Sequence, residues 1–305
     1  MQKKSIIIIL LIMIFILTAC QNRTEDIDKQ VEDSLKFTDM NGKPIELGNL
    51  PERIVSLSPS NTEIVFALGA GSKLVGVTTF CDYPNEALSK EKIGDFEGPN
   101  IEMIKKVQPD VILAGVYIQE DIVIALENLG IPVITTEASD FKGIYDSITL
   151  IGKLVDREDK AEEIINDMKK TIDDIKSKTK NLNRPNVFYV AWFEPLITAG
   201  QGTFINDVIE ISGAKNIAEG VEGWTEYSAE ELIKQNPDMV IAALHANNEG
   251  ISKEDLLDSS ILKNLECVKS GNIYIMKDDN LISRPAPRIV EAVKEMTNAI
   301  HKDIF

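Results

Sequence analysis

The chain is poor in histidine and cysteine and short of positive charge. Only His245 and His301 occur in 305 residues, so a zinc or manganese centre built on several imidazoles is excluded. No G-x-S-x-G turn is present to expose a serine nucleophile, and no glycine-rich loop ends in Lys-Ser/Thr to cradle a phosphate. Hydrolase and nucleotide-binding chemistry of those kinds is therefore without its residues. Lysine and arginine number 32 against 49 acids, a net charge of −17, which becomes −19 without the first nineteen residues and their Lys3 and Lys4. Nucleic acid, whose phosphates recruit Lys and Arg, is not a partner for such a surface. Adhesion to an anionic membrane by charge alone is disfavoured as well. Solubility accounts for most of this acidity.

Of the three cysteines, Cys20 stands in a special place. Lys3 and Lys4 form a basic start, Ile6–Leu17 is an apolar run short for a comfortable membrane span, and Leu17-Thr18-Ala19-Cys20 looks like a bacterial lipobox. That likeness implies cleavage before Cys20 and a lipid on its sulfur. Residues 21–35 are polar and charged and read as a flexible tether. The expected location is extracytoplasmic, anchored to the cell membrane. Cys81 and Cys267 fall in different halves of the chain and read as separate thiols, even where an oxidising compartment permits a bridge.

One stretch occurs twice. Residues 100–115, NIEMIKKVQPDVILAG, and 228–243, SAEELIKQNPDMVIAA, align without a gap and share five identities in sixteen. These are Glu102/Glu230, Lys106/Lys234, Pro109/Pro237, Asp110/Asp238 and Ala114/Ala242. Each copy has an N-cap residue (Asn100 or Ser228), a short amphipathic helix, a Pro-Asp break and an apolar run suited to a buried parallel strand. The repeat predicts two similar lobes with one exposed acid at the same place on each. Complementing a helix dipole explains an acid in a first turn. The same acid on both lobes also suits docking onto two basic pockets of a two-fold partner.

Around the repeat the pattern alternates strand and helix, which predicts an α/β fold of mostly parallel sheets flanked by helices. Asn41-Gly42 marks a hairpin, and Ile54–Leu57 and Leu74–Thr78 read as strands. Ser60-Asn61-Thr62-Glu63 reads as a capping box for a helix ending near Gly69–Gly71. From about Asp156 to Thr179 a long amphipathic helix, acidic early and lysine-rich late, is the expected connector. Its stiffness implies a small hinge motion. The pattern restarts after Pro185 and closes with a helix running to about His301. The expected layout is a signal segment over 1–19, a tether over 20–36 and lobes over 37–155 and 181–305. A connector helix over 156–180 joins the lobes, with the ligand cleft between them.

The few aromatics cluster in segments read as loops. Phe80, Tyr83, Phe96, Tyr117, Trp192, Phe193, Trp224 and Tyr227 lie at or just beyond strand ends or just before helices. In open α/β sheets the ligand crevice lies outside the carboxyl ends of the strands. Flat apolar rings there suit a large, rigid, partly apolar ligand. Each ring has an equally good alternative as a plug within its own lobe. His245 follows the strand of the second repeat copy, where it reads as a cleft donor or axial ligand, or as a satisfied loop residue.

With these residues in view, the chain resembles the substrate-binding lipoproteins of ABC importers, in the helical-backbone class serving cobalamin, iron-siderophores and haem. The likeness covers residues 37–305. It rests on Arg53-Ile54-Val55-Ser56-Leu57-Ser58-Pro59-Ser60-Asn61-Thr62-Glu63, Asp82-Tyr83-Pro84 and Ile101-Glu102 leading to Pro109-Asp110. In the second lobe it rests on Thr198-Ala199-Gly200, Ser228-Ala229-Glu230, Pro237-Asp238 and Arg284 through Arg288. The cobalamin-binding members are the nearest in pattern. The resemblance implies that Phe80, Phe96 and Trp224 contact a corrinoid and that Glu102 and Glu230 dock on the permease dimer, which works with cytoplasmic ATPase subunits. It implies no bond making and no resident cofactor or metal, the bound ligand being a corrinoid or a ferric chelate. Arg284 reads either as a contact to a ligand phosphate or carboxylate or as a loop-stabilising donor. Gly115 stands where the cobalamin binders have tryptophan, Phe80 replaces a tyrosine and Ala191 a phenylalanine. Iron-siderophore and haem carriers share the frame. A sensor or enzyme on the same frame is the third reading, opposed by the lack of a catalytic cluster.

Overall fold

The computed structural model describes residues 35–95, 98–115, 120–136, 138–243, 253–302 and 304–305. Strands β1 (Leu35–Thr38) and β2 (Pro44–Leu47) form the expected antiparallel hairpin, with Gly42 at φ 79° in its turn. Next come β3 (Ile54–Ser56), α1 (Pro59–Ala67), β4 (Leu74–Val77), α2 (Ile101–Val107), β5 (Val111–Ala114), α3 (Glu120–Asn128) and β6 (Val133–Thr135). The four strands make an all-parallel sheet in the order β4-β3-β5-β6. The helices α4 (Phe141–Leu154) and α5 (Glu158–Thr179) follow.

The second half repeats the plan through β7 (Asn186–Val190), β8 (Trp192–Phe193), β9 (Leu196–Ala199), α6 (Phe204–Ile211), β10 (Lys215–Asn216), β11 (Trp224–Glu226), α7 (Ala229–Gln235) and β12 (Met239–Ala242). It ends with α8 (Lys253–Asp258), α9 (Glu266–Lys269), β13 (Ile273–Ile275), α10 (Asp279–Ser283) and α11 (Ile289–His301). Its parallel sheet has the order β10-β7-β12-β13, and β11-β9-β8 form a separate antiparallel sheet.

The two copies of the repeat fold alike, and the structure explains each shared residue type. Asn100 and Ser228 cap α2 and α7 by accepting the N–H of Met103 and Glu231. Both helices end on a left-handed residue, Gln108 at φ 46° and Asn236 at φ 45°, just before the proline. The aspartate then ties the new strand to its neighbour. Asp110 accepts the N–H groups of Glu52 and Arg53 at 2.8 Å, and Asp238 accepts that of Asn186 at 2.7 Å. Each acid secures a strand start in its own sheet.

Alternation along the central strands distributes the core. In β5, Val111 and Leu113 join one cluster and Ile112 and Ala114 another; in β12, Met239 and Ile241 divide likewise from Val240 and Ala242. The largest cluster is shared by both lobes. It runs from Phe37 and Leu113 through Met168, Ile172 and Ile175 of α5 to Val187, Ile241 and Met296. The connector is thus glued along its length rather than suspended between lobes.

Three local expectations are corrected. The Ser60–Glu63 run is no capping box, because Pro59 occupies the first helical position and Ser58 is the N-cap. Asn61, Thr62 and Glu63 are instead buried inside α1. The segments at Trp192–Phe193 and Trp224–Glu226, expected as loops, are strands that pair on either side of β9.

Candidate functional site

The second lobe builds a wall of rings. Strand β7 ends at Val190, and the chain turns through Trp192 and the cis peptide Glu194–Pro195 into β9. The Trp192 indole N–H donates to the Glu194 carbonyl at 2.8 Å, holding the ring over the hairpin. In register, Trp224 pairs with Ala199. A Cβ on Gly200 would stand 2.1 Å from the Val221 carbonyl oxygen, so only glycine lets the segment leading to Trp224 pass this close. Trp224 meets Phe204 edge to face at 6.0 Å. Trp192 and Trp224 are 41% and 42% exposed, large for tryptophan. Together with Tyr189, Ala191, Pro195, Ile197, Phe204 and Ser283 they line a cavity of about 510 Å³.

The first lobe carries strand ends and one pinned loop, and none of its residues lines this cavity. Beyond β3 and β5, Asn61 donates to the Ala114 carbonyl at 3.1 Å and accepts from Thr136 at 2.7 Å, tying three strand ends together. A Cβ on Gly115 would lie 3.2 Å from Ser58 Cβ, tight but not forbidden. The loop carrying Phe80 is held from below by Lys92, whose ammonium donates to the carbonyls of Cys81, Ala87 and Thr78. It is held from the other lobe by Arg284.

Arg284 is 8% exposed and donates to Asp82 at 2.6 Å, to Glu63 at 3.0 Å and to the Phe80 carbonyl at 3.1 Å. Arg288 joins it on the same Glu63 and lies 3.5 Å above the Tyr83 ring. Burial opposes the charge on both arginines, yet their carboxylate partners more than offset it and raise both pKa values. Arg284 has the hydrogen bonds of a loop-stabilising donor. Glu63, the buried acid at the centre of this ion cluster, is concealed in the sequence, where an acid in an N-T-E run looks like a cap.

The structure thus brings Trp192 and Trp224 together and adds Tyr189 and Phe204. It places Phe193 against the outer core of the second lobe and buries Tyr227 there, 5.2 Å from Phe188, with its hydroxyl accepting from Gln235. Burial, and then Glu231, raise the Tyr227 pKa. Tyr227 lines no part of the cavity because the residue after β11 points into its own lobe. Tyr83 lines a different cavity. Glu102 and Glu230 stand in the first turns of α2 and α7, solvent-exposed and outside the cavity lining, Glu102 loosely paired with Lys105 at 3.2 Å. Phe96, Tyr117, His245 and Cys20 lie outside the described residues. Cys81 and Cys267 are free and buried. Among the described residues there is no cluster of His, Cys, Asp or Glu fit for a metal ion, and no helix is long and apolar enough to cross a membrane.

The family described as periplasmic binding protein matches residues 54–280. An uncharacterized ABC transporter substrate-binding lipoprotein of Bacillus subtilis (strain 168) is 32% identical, covering 97% of this chain and 96% of its own length. A cobalamin-binding protein of Halobacterium salinarum is 30% identical, over 90% of this chain and 76% of that one. Among solved structures, a possible iron-binding (periplasmic solute-binding) protein from Staphylococcus epidermidis is 35% identical, with a TM-score of 0.73, covering 83% of this chain and all of the other.

Proposed function

Because the chain belongs to the periplasmic binding protein family, as a substrate-binding component of an ABC transporter, we propose that its cargo is cobalamin or a related corrinoid. One observation carries this reading. Two tryptophans at about two-fifths exposure, backed by Phe204 and Tyr189, wall a cavity of about 510 Å³ between strand ends. A macrocycle offers those rings a broad, flat, largely apolar face, which small ions and amino acids do not. The Halobacterium relative, named for cobalamin binding, supports the same cargo. The chain is delivered to the membrane by the lipid on Cys20 and hands its ligand to a permease dimer, with Glu102 and Glu230 as the two docking acids.

A ferric chelate is the second reading, favoured by the similarity to the Staphylococcus epidermidis protein described as a possible iron binder. Titration of the purified chain with cyanocobalamin, ferric catecholates and haem, read by quenching of Trp192 and Trp224, separates the two. Saturable quenching by cobalamin at micromolar concentration is expected. Saturation by a ferric chelate or haem with none by any corrinoid would overturn the cargo while leaving the family intact.

A further inference from the structure

Tyr83 does not face the tryptophan wall. It lines a second cavity of about 650 Å³ on the flank of the first lobe, which shares no lining residue with the cleft cavity. The far end of α1 supplies Phe66, the segment after β4 supplies Tyr83 and Lys90, and the entry to α11 supplies Arg288. Both lobes therefore contribute to it.

The walls are flat and firmly set. Phe66 lies directly against Gly71, where a Cβ would come within 2.2 Å of the ring, so the glycine backbone itself is the surface on which the phenyl group rests. Tyr83 is stacked on one face by Arg288 at 3.5 Å and still is 44% exposed, leaving ring surface open to the cavity. Charge inside the cavity is unevenly satisfied. Glu63 already accepts three N–H groups from the two arginines. Glu86 is exposed at the rim. Lys90 is half-buried, and the partner of its ammonium is the Phe66 ring at 5.9 Å, with no carboxylate within ion-pair reach among the described residues. Burial lowers the Lys90 pKa with no acid pulling it back. An ammonium beside the Phe66 face, with the Tyr83 ring lining the same hollow, is complementary to an aromatic ligand that carries an anion.

We propose that this flank cavity is a second binding site, for a small aromatic carboxylate whose ring lies against Phe66 and Tyr83 and whose anion pairs with Lys90. It is separate from the cargo site, and occupancy of one does not require the other.

The test uses 2-naphthoate as probe and 2-naphthalenemethanol as its neutral counterpart, by isothermal titration and saturation-transfer NMR on the intact mature chain. Naphthoate is expected to bind at least about tenfold more tightly than the alcohol, about 1.4 kcal/mol. Lys90→Met, which keeps the methylene stem, should abolish that preference, and Lys90→Arg should retain it. Binding should persist in Trp192→Ala/Trp224→Ala, whatever cargo the cleft takes. Equal affinity for acid and alcohol, a preference surviving in Lys90→Met, or loss of naphthoate binding in the tryptophan double variant would each overturn the proposal. Unchanged far-ultraviolet circular dichroism and melting temperature in Lys90→Met confirm that the comparison is between folded proteins.

Discussion

Arg288 of the second lobe closes a two-pronged hydrogen bond on Glu63 of the first, Nε at 2.9 Å from Oε2 and Nη2 at 2.8 Å from Oε1. Planar guanidinium and planar carboxylate meet edge to edge, the geometry in which both donors are spent on one acid. Arg284 adds a third donor to the same carboxylate and carries the network on to Asp82 and Phe80. The lobes are thus joined at the shared apolar core and again by this ion cluster. Closure of the cleft is confined to what both joints permit.

Removing Glu63 would leave two guanidinium groups largely buried without their shared counter-ion. Breaking a buried pair from one side costs about 3–5 kcal/mol. Glu63→Ala is expected to lose that much in urea unfolding, and inter-lobe distances from paired spin labels should broaden. A loss below about 1 kcal/mol with unchanged distances would show that the cluster does not fasten the lobes.

The tryptophans behave in the opposite way. Each is about two-fifths exposed, so truncation removes little core. Trp192→Ala and Trp224→Ala are each expected to weaken cargo binding by at least about tenfold, in line with losing an aromatic anchor at about 1.5–2 kcal/mol. Stability should change by less than about 1.5 kcal/mol. Calorimetric titration and thermal melting of the same preparations give both numbers.

What could be read from the chain in advance follows from how local each signal is. The repeat was visible because its cap, its Pro-Asp break and its apolar run are contiguous, and each acts within a few residues. The Arg284–Glu63 contact joins positions 221 apart, and nothing in either segment names the other. Tyr189 sits in an apolar strand, and it is core on one side while lining the cavity on the other. The sheet of β11, β9 and β8 was hidden for a different reason. Its strands are two to four residues long and aromatic-rich, too short to show alternation. Tyr227 could not be told from its neighbours, since burial there depends on which side of β11 its ring falls.

The repeat's two aspartates should differ in cost. Asp110 accepts two backbone N–H groups and Asp238 one. At about 1 kcal/mol for each bond to a partly exposed carboxylate, Asp110→Ala is expected to destabilise by about 2 kcal/mol and Asp238→Ala by about 1. Chemical denaturation of the two single variants checks the ranking. Equal losses would mean that the second bond at Asp110 is spent on solvent.

The proposed docking role of Glu102 and Glu230 predicts a separation of functions. Glu102 has a side chain 82% exposed, and its ion pair with Lys105 is a surface contact of little energetic weight. Replacing Glu102 and Glu230 together with alanine should leave cargo affinity and melting temperature unchanged while uptake into cells or permease-containing vesicles falls at least about tenfold. Uptake at the wild-type rate by the double variant would remove both residues from the docking role.

A last prediction concerns pH. Asp207 accepts the backbone N–H of Phe141 at 3.1 Å, which links α6 of the second lobe to the start of α4. Burial is the largest influence on this carboxyl and raises its pKa; the hydrogen bond from Phe141 and Lys176 pull it down, while Asp140 and Glu210 push it up. A carboxyl whose folded pKa lies above its unfolded one binds more protons in the native state. Its contribution therefore favours folding at low pH and fades as pH rises from the unfolded value through the folded one. Asp207→Asn keeps an oxygen for the Phe141 N–H and removes the charge. At neutral pH the variant should be as stable as the parent or more so, by no more than about 1 kcal/mol given the partial exposure. The gain should vanish at a pH below the unfolded carboxyl pKa, where the parent's Asp207 is protonated as well. Melting curves of parent and variant from acid to neutral pH follow the difference directly. A variant that loses stability as pH rises would show instead that the ionised Asp207 is a net attraction, with the Phe141 contact and Lys176 outweighing burial.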